Sequence, residues 1–230
     1  ATNTLADTST LVVSGGILDL GGFADTVAGV QQTGGTIQNG TLTSTTAYDM
    51  QAGAVSANLA GAVALNKTTA GTTTLSGTNT YTGTTTVSAG TLNLNSAGTA
   101  IAGDLTVAGG TATLQAANQI ADGKNVVVSS GTLDVAGFND TVNGVQITGG
   151  TITGTTGVLT STTAFDLQAG TVSAILGGAA GANKTTGGTV TLSKTNTYTG
   201  ATTVSAGQLT LGHATNTLAD TSTLVVSGGI

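Results

Sequence analysis

The chain has 230 residues, only 6 % of them charged, and its formal net charge of −6 comes from ten acids against four lysines with no arginine. That balance leaves no basic stripe for phosphates, which excludes nucleic acid as a partner and disfavours anionic membrane surfaces. No apolar run approaches the roughly 18 residues of a transmembrane helix, and no membrane insertion by this segment is expected.

Proline and cysteine are both absent, while apolar residues make up 38 % and recur regularly. An ordered β-rich core is therefore expected, since disorder needs low hydrophobicity and high net charge. A chain without proline suits an uninterrupted parallel sheet, because every residue can donate to the ladder. A lack of cysteine fits a reducing compartment, and equally a surface protein that crosses membranes unfolded. Ala1–Thr4 shows neither the basic nor the apolar part of a signal peptide, so the expectation is a mature chain or one cut from something longer.

Along the chain, Gly16 closes a first small turn, and a short Thr/Leu/Val strand follows it. Gly35, Gly53, Gly71, Gly90, Gly110, Gly131, Gly150, Gly170, Gly188, Gly207 and Gly229 repeat this at steps of 18–22 residues. A period near 19 residues, built from glycine and β-formers, is the signature of a β-solenoid, here of about twelve rungs. After each corner glycine the second and fourth residues are mostly apolar, as at Leu18 and Leu20, Leu92 and Leu94, Leu133 and Val135, Val190 and Leu192, Leu209 and Leu211. Three residues before it stand Val13, Met50, Val87, Val107, Val128, Ile147, Leu167, Val204 and Val226. These columns should stack into a narrow core. The first and third residues after the glycine should face solvent: Thr72 and Thr74, Thr91 and Asn93, Thr111 and Thr113, Thr151 and Thr153, Thr189 and Thr191.

A larger repeat encloses the rungs. Residues 1–23 align with 116–138, and 42–77 with 159–194. The expected organisation is one continuous solenoid over 1–230, with large units at 1–115 and 116–213 and a third begun at 214–230. Residues 214–230 are identical to residues 1–17, which the fold alone does not require. A longer array, or end-to-end stacking of separate chains, is the expectation, and twelve rungs would make a rod on the order of 55 Å long.

Two segments carry a more specific pattern: TTTLSGTNTYTGTTTVSAGTLNL at 72–94 and TVTLSKTNTYTGATTVSAGQLTL at 189–211. They resemble the autotransporter-associated β-strand repeat (the passenger-associated transport repeat) of Gram-negative autotransporters and adhesin-like surface proteins. The resemblance implies an all-β, right-handed parallel β-helix displayed on a bacterial surface. Lys194 stands where the first copy has Gly77, and Gln208 where it has Thr91; both positions are expected to be exposed. Asn79 and Asn196 are expected in left-handed turns bonded to their own backbone. Gly83 and Gly200 should permit a corner where a side chain would clash. Tyr81 and Tyr198 should cover an apolar edge with their hydroxyls wet.

Little in the chain points to catalysis. Asp19 and Asp134 occupy equivalent outward positions about six rungs apart, roughly 29 Å, too far to act as a pair. Asp25 and Asp140 read as solvated face acids, and His213, the only histidine, as a surface residue at the junction before the third unit. No zinc spacing, calcium nonapeptide or phosphate loop occurs, and no catalytic, cofactor or metal residues are assigned. Asn39, Asn66, Asn139 and Asn183 fit the glycosylation sequon, as a Thr-rich chain does by chance. The expected function is a non-enzymatic structural or adhesive extracellular rod, secreted across the outer membrane. Its expected partners are neighbouring repeats of the same chain, end-to-end copies of itself, and host or neighbouring-cell surface or matrix glycans. The rivals are a Thr-rich ice-binding solenoid and a carbohydrate-active β-helix. Against the first, the outward columns appear mixed, with Ile17, Asp19, Gln38, Asn93 and Asp134 among the threonines.

Overall fold

Alternation of Val, Leu and Ile with Thr sends every second side chain inward and leaves the others on a pleated outer surface. In a computed structural model that describes residues 4–215 and 217–228, each such segment becomes a strand, and all pairings between strands are parallel. The strands coil into a right-handed parallel β-solenoid of about eleven turns. Ala1–Asn3 and the corner at Gly229 lie outside the described residues.

The first face is the most regular. Its strands stack in sequence from Thr10–Val13 through Gly29–Gln32, Tyr48–Met50 and Leu65–Lys67 up to Thr202–Val204 and Leu224–Val226. Register runs unbroken from Leu11 over Val30, Tyr48, Leu65, Thr85 and Leu105 to Val126, and on through Ala182 and Thr202 to Leu224. Two residues on, the inward column reads Val13, Gln32, Met50, Lys67, Val87, Val107, Val128, Ile147, Leu167, Lys184 and Val204, all buried. The expected core residues fall here except Val226, which is exposed on the last rung, and they are joined by three polar ones that the apolar pattern did not mark.

The second face begins after the corner glycines. Gly131 has φ +69, and a Cβ there would lie 2.2 Å from the carbonyl oxygen of Gly110, so the turn demands glycine on both counts. Beyond it, Leu133 is buried between Ala112 and Ile152. The third face is the thinnest. It carries strand segments such as Asp140–Val142 and Asn58–Ala60, but next to residues 99–101 it is reduced to a single bridge between Ile101 and Ile120.

Two expectations about register fail on the second face. Gly53 pairs with Thr73, not with Gly71, and Gly170 pairs with Val190, not with Gly188. The register therefore slips by two residues once in each large unit. Val190 and Leu209 consequently stack above Gly170, while Leu192 stands in the column of Leu133, Ile152 and Val172. The corner glycines are not one equivalent set: Gly53 and Gly170 have φ near +120, against +64 to +69 at Gly16, Gly35, Gly90, Gly131, Gly150 and Gly207. At the first rungs and the last, the core columns are only partly covered, and Leu18, Leu20 and Leu209 are half-buried while Leu211 is exposed.

Candidate functional surface

The register slip occupies the same place in both units. In each unit it falls where the first-face strand ends in lysine, at Leu65–Lys67 and Ala182–Lys184, followed by a corner of Thr and Gly. Both lysines are fully buried in the core column. The Lys67 ammonium donates to the carbonyls of Thr69 and, at 3.3 Å, Ala89. The Lys184 ammonium donates to those of Thr186 and, at 3.2 Å, Ala206. The aliphatic stem fills the core while the amine satisfies backbone oxygens that the wider corner leaves without ladder partners. Burial lowers the pKa of both amines, opposed at Lys67 by the charge of Asp49.

The Asn-Thr-Tyr-Thr-Gly string follows on the third face, and two of its expected roles are overturned. Asn79 and Asn196 are buried and not left-handed. Asn79 accepts from the Leu59 N–H at 2.8 Å and donates to the Ala100 carbonyl at 2.7 Å, joining the rungs on either side. Asn196 does the same between Leu176 and Thr217. With so few strands here, these side-chain amides supplement the backbone bonds that Thr80, Tyr81, Thr197 and Tyr198 donate to the preceding rung. Tyr81 and Tyr198 are fully buried, their hydroxyls bonded to Thr85 and Thr202 at 2.6 and 2.8 Å, and they pack against Tyr48 and Phe165. Burial pushes the Tyr48 phenol up to about 12. Gly83 and Gly200 behave as expected: an added Cβ would meet neighbouring backbone at 2.4 Å in each. Gly77 is buried, contrary to expectation, with the Ala57 oxygen 2.1 Å from any added Cβ. Lys194 is half-buried in its place and donates to the Thr155 carbonyl at 3.2 Å.

The acids also sort differently from expectation. Asp25 and Asp140 are buried, not solvated. Asp25 accepts from the N–H groups of Thr4 and Leu5 at 2.7 and 3.1 Å and from the Thr4 hydroxyl at 2.9 Å. Asp140 accepts from the N–H groups of Gln119 and Ile120 at 2.7 and 3.1 Å. Each thus caps backbone donors of the preceding rung. Burial raises Asp25, but the Leu5 and Thr4 donors outweigh it and its pKa falls. At Asp140 burial prevails, aided by the charge of Asp122, and the pKa rises to about 6.

Asp19 and Asp134 remain outward, far apart in the stack, and the column of Asp134 runs through Thr113 and Asn93 to Thr74. They are not equivalent, because the slip moves Asp19 into a different column. Asp19 accepts from Gln38 and Asn39 at 2.9 and 3.0 Å. His213 is exposed and bonded to the Thr215 carbonyl. Among the described residues, no group of three or more His, Asp or Glu is placed to hold a metal ion.

The slip also resolves the outward threonines into an ordered array. Thr72, Thr91, Thr111, Thr132, Thr151, Thr171, Thr191 and Thr210 stack in consecutive register as one column of eight. Of the residues that interrupt them in sequence, Ile17, Asn93 and Asp134 fall in the neighbouring column, while Asp19 and Gln38 pair in a separate one.

Comparison with protein families finds the passenger-associated-transport-repeat at residues 65–94 and 183–211. Each match begins with the strand that ends in the buried lysine and closes with the second-face strand, Thr91–Leu94 or Gln208–Leu211. No curated protein and no solved structure matches the chain.

Proposed function

We propose, for a chain that carries two passenger-associated transport repeats within one solenoid, that it is a stiff segment of an extracellular bacterial adhesin or filament of the autotransporter type. The observation that carries this reading is the first-face column, which runs from Leu11 to Leu224 without a break in parallel pairing. Stacked rungs give continuous backbone bonding over a dry core, so length scales with rung number and bending strains every ladder bond at once. Its work is mechanical and not catalytic. It holds a binding surface away from the cell, with neighbouring repeats as structural partners and surface or matrix glycans as the adhesive ones. Antibody labelling of intact producing cells, with adhesion scored before and after deletion of residues 1–230, tests this. Absence of surface label, or unchanged adhesion after deletion, rejects it.

The eight-threonine column favours a second reading, an ice-binding face. Hydroxyl and methyl groups repeat there at the strand spacing of about 4.8 Å on a pleated surface. Thermal hysteresis that disappears in Thr132→Lys with Thr151→Lys supports it; none in the unsubstituted chain removes it.

A further inference from the structure

We propose that the first face carries two copies of a sugar-binding patch, each built from the outward residues of three consecutive rungs, and that its ligand is a neutral polysaccharide. The inference rests on the adhesin reading above and gives the glycan partner of that reading a place and a chemistry.

In the first unit the outward residues are Thr10, Gly29 and Ala47 beside Val12, Gln31 and Asp49. In the second they are Asn125, Gly144 and Ala164 beside Val127, Gln146 and Asp166. Five of the six outward positions are identical between the units, only Thr10 giving way to Asn125. The inward positions of the same strands have drifted. Leu11, Gln32, Tyr48 and Met50 stand against Val126, Ile147, Phe165 and Leu167, so four of the six inward positions differ. A rod that needed only its core would show the reverse, constant inside and drifting outside. Identity kept on the outside of these strands points to a ligand there.

The kept residues are arranged as a site. Asp166 Oδ2 accepts from the Gln146 and Gln168 amides at 2.7 and 2.8 Å. Asp49 Oδ2 accepts from Gln31 and Gln51 at 2.9 and 2.8 Å. Two amides thus fix the orientation of each carboxylate, and Asp166 Oδ1 accepts no hydrogen bond among the described residues. Asp166 lines a groove of about 310 Å³, at the lower end of small-ligand sites. Gly144 keeps the groove open: a Cβ there would lie 2.9 Å from Asn125 Oδ1 and 3.1 Å from the Thr163 hydroxyl. Asn125 Oδ1 already accepts from the Asn143 amide at 2.9 Å, which leaves the Asn125 amide to donate.

The groove therefore offers a donor at Asn125, a charged acceptor at Asp166 and apolar surface at Val127 and Ala164. A sugar hydroxyl both donates and accepts, and a pyranose ring has an apolar C–H face, so one sugar meets all three. No lysine lines the groove, and the acid in each patch repels anionic sugars. Asp49 and Asp166 stand six turns apart in one column of continuous register, roughly 29 Å. One polysaccharide lying along the face can hold both patches.

Binding of mannan, dextran and a linear β-glucan to the purified chain tests this, with hyaluronan and alginate as anionic controls. At least one neutral probe should bind, and neither anionic one more tightly. Asp49→Ala with Asp166→Ala should abolish that binding. Val12→Arg with Val127→Arg should abolish it too, by covering both patches from outward positions that leave the core untouched. Asp166→Ala alone should weaken binding of the long probe about tenfold or more through lost bivalency. An oligosaccharide of the same probe, too short to span the patches, should keep its affinity and lose half its sites. The patch is overturned if no neutral probe binds, if an anionic one binds more tightly, if both double variants bind as before, or if Asp166→Ala leaves the long probe's affinity unchanged. The adhesin reading fails separately, on absence of surface label. Adhesion that is lost on deletion of residues 1–230 but unchanged in both double variants rejects the patch and leaves that reading standing.

Discussion

The ammonium of Lys67 leaves the core column to reach the carbonyl of Ala89 on the next rung, 3.3 Å away. Lys184 repeats the contact at Ala206, and in both units the sheet register slips by two residues beside it. A long apolar stem with a terminal donor suits a place where the wall is dry but the corner has surplus carbonyls.

Lys67→Met keeps the stem's shape and removes the donor, leaving the Thr69 and Ala89 oxygens to lose their partner. The expected cost is about 1–3 kcal/mol in denaturant unfolding. Because burial lowers the amine's pKa, the unfolded chain binds its proton more tightly. This group's contribution therefore makes stability rise with pH between the lowered value and the ordinary one near 10.5. The substituted chain should lack that rise; equal stability and an equal pH profile in the two chains would show that the contact is idle.

Asp140 should make the rod more stable in mild acid. Its carboxyl holds a proton up to about pH 6 when folded, against an ordinary value of 3.8. Between those values the folded state binds more protons, so this contribution falls as pH rises through the window and stays lost above it. The shift corresponds to at most about 3 kcal/mol. Thermal melts of the unsubstituted chain and of Asp140→Asn at pH 4, 5, 6 and 7 should converge at the acid end and separate toward neutrality, with Asn the more stable there. Parallel curves refute the assignment. The lowered pKa values of Asp19, Asp25 and Asp49 act in the opposite sense, at lower pH, and are common to both chains.

Leu133 lies fully buried between Ala112 and Ile152. Leu133→Asp places a carboxylate in the dry core with no donor of its own and should cost several kcal/mol, on the order of other unpaired buried charges. Unchanged melting would mean that the column is assigned to the wrong face.

Glycine substitutions separate packing from turn geometry. At Gly83 a methyl group would stand 2.4 Å from the Val63 carbonyl carbon, and Gly83→Ala should destabilise by about 1–3 kcal/mol. At Gly187 nothing lies within 4 Å, and Gly187→Ala should be neutral or stabilise by up to about 1 kcal/mol. Equal effects at the two sites in calorimetry would contradict the close approach of adjacent rungs at Gly83.

The period near 19 residues, the alternation around the corner glycines and the Asn-Thr-Tyr-Thr-Gly strings were enough to establish the solenoid, its first-face strands and most of the core. Those are consequences of local geometry: strand alternation has a period of two, and glycine marks where neighbouring backbones approach. Sequence could not show that Gly53 and Gly71 are out of register, because a corner's length is set by the rung it packs on, not by its own residues. From that slip follow the eight-threonine column and the separation of Asp19 from Asp134. Nor could sequence place Lys67, Asn79, Tyr81 and Asp140 indoors, since local pattern assigns polar groups to water. Only stacking brings a backbone donor or acceptor from the next rung, some twenty residues away, within hydrogen-bond reach, and that partner is what makes their burial tolerable.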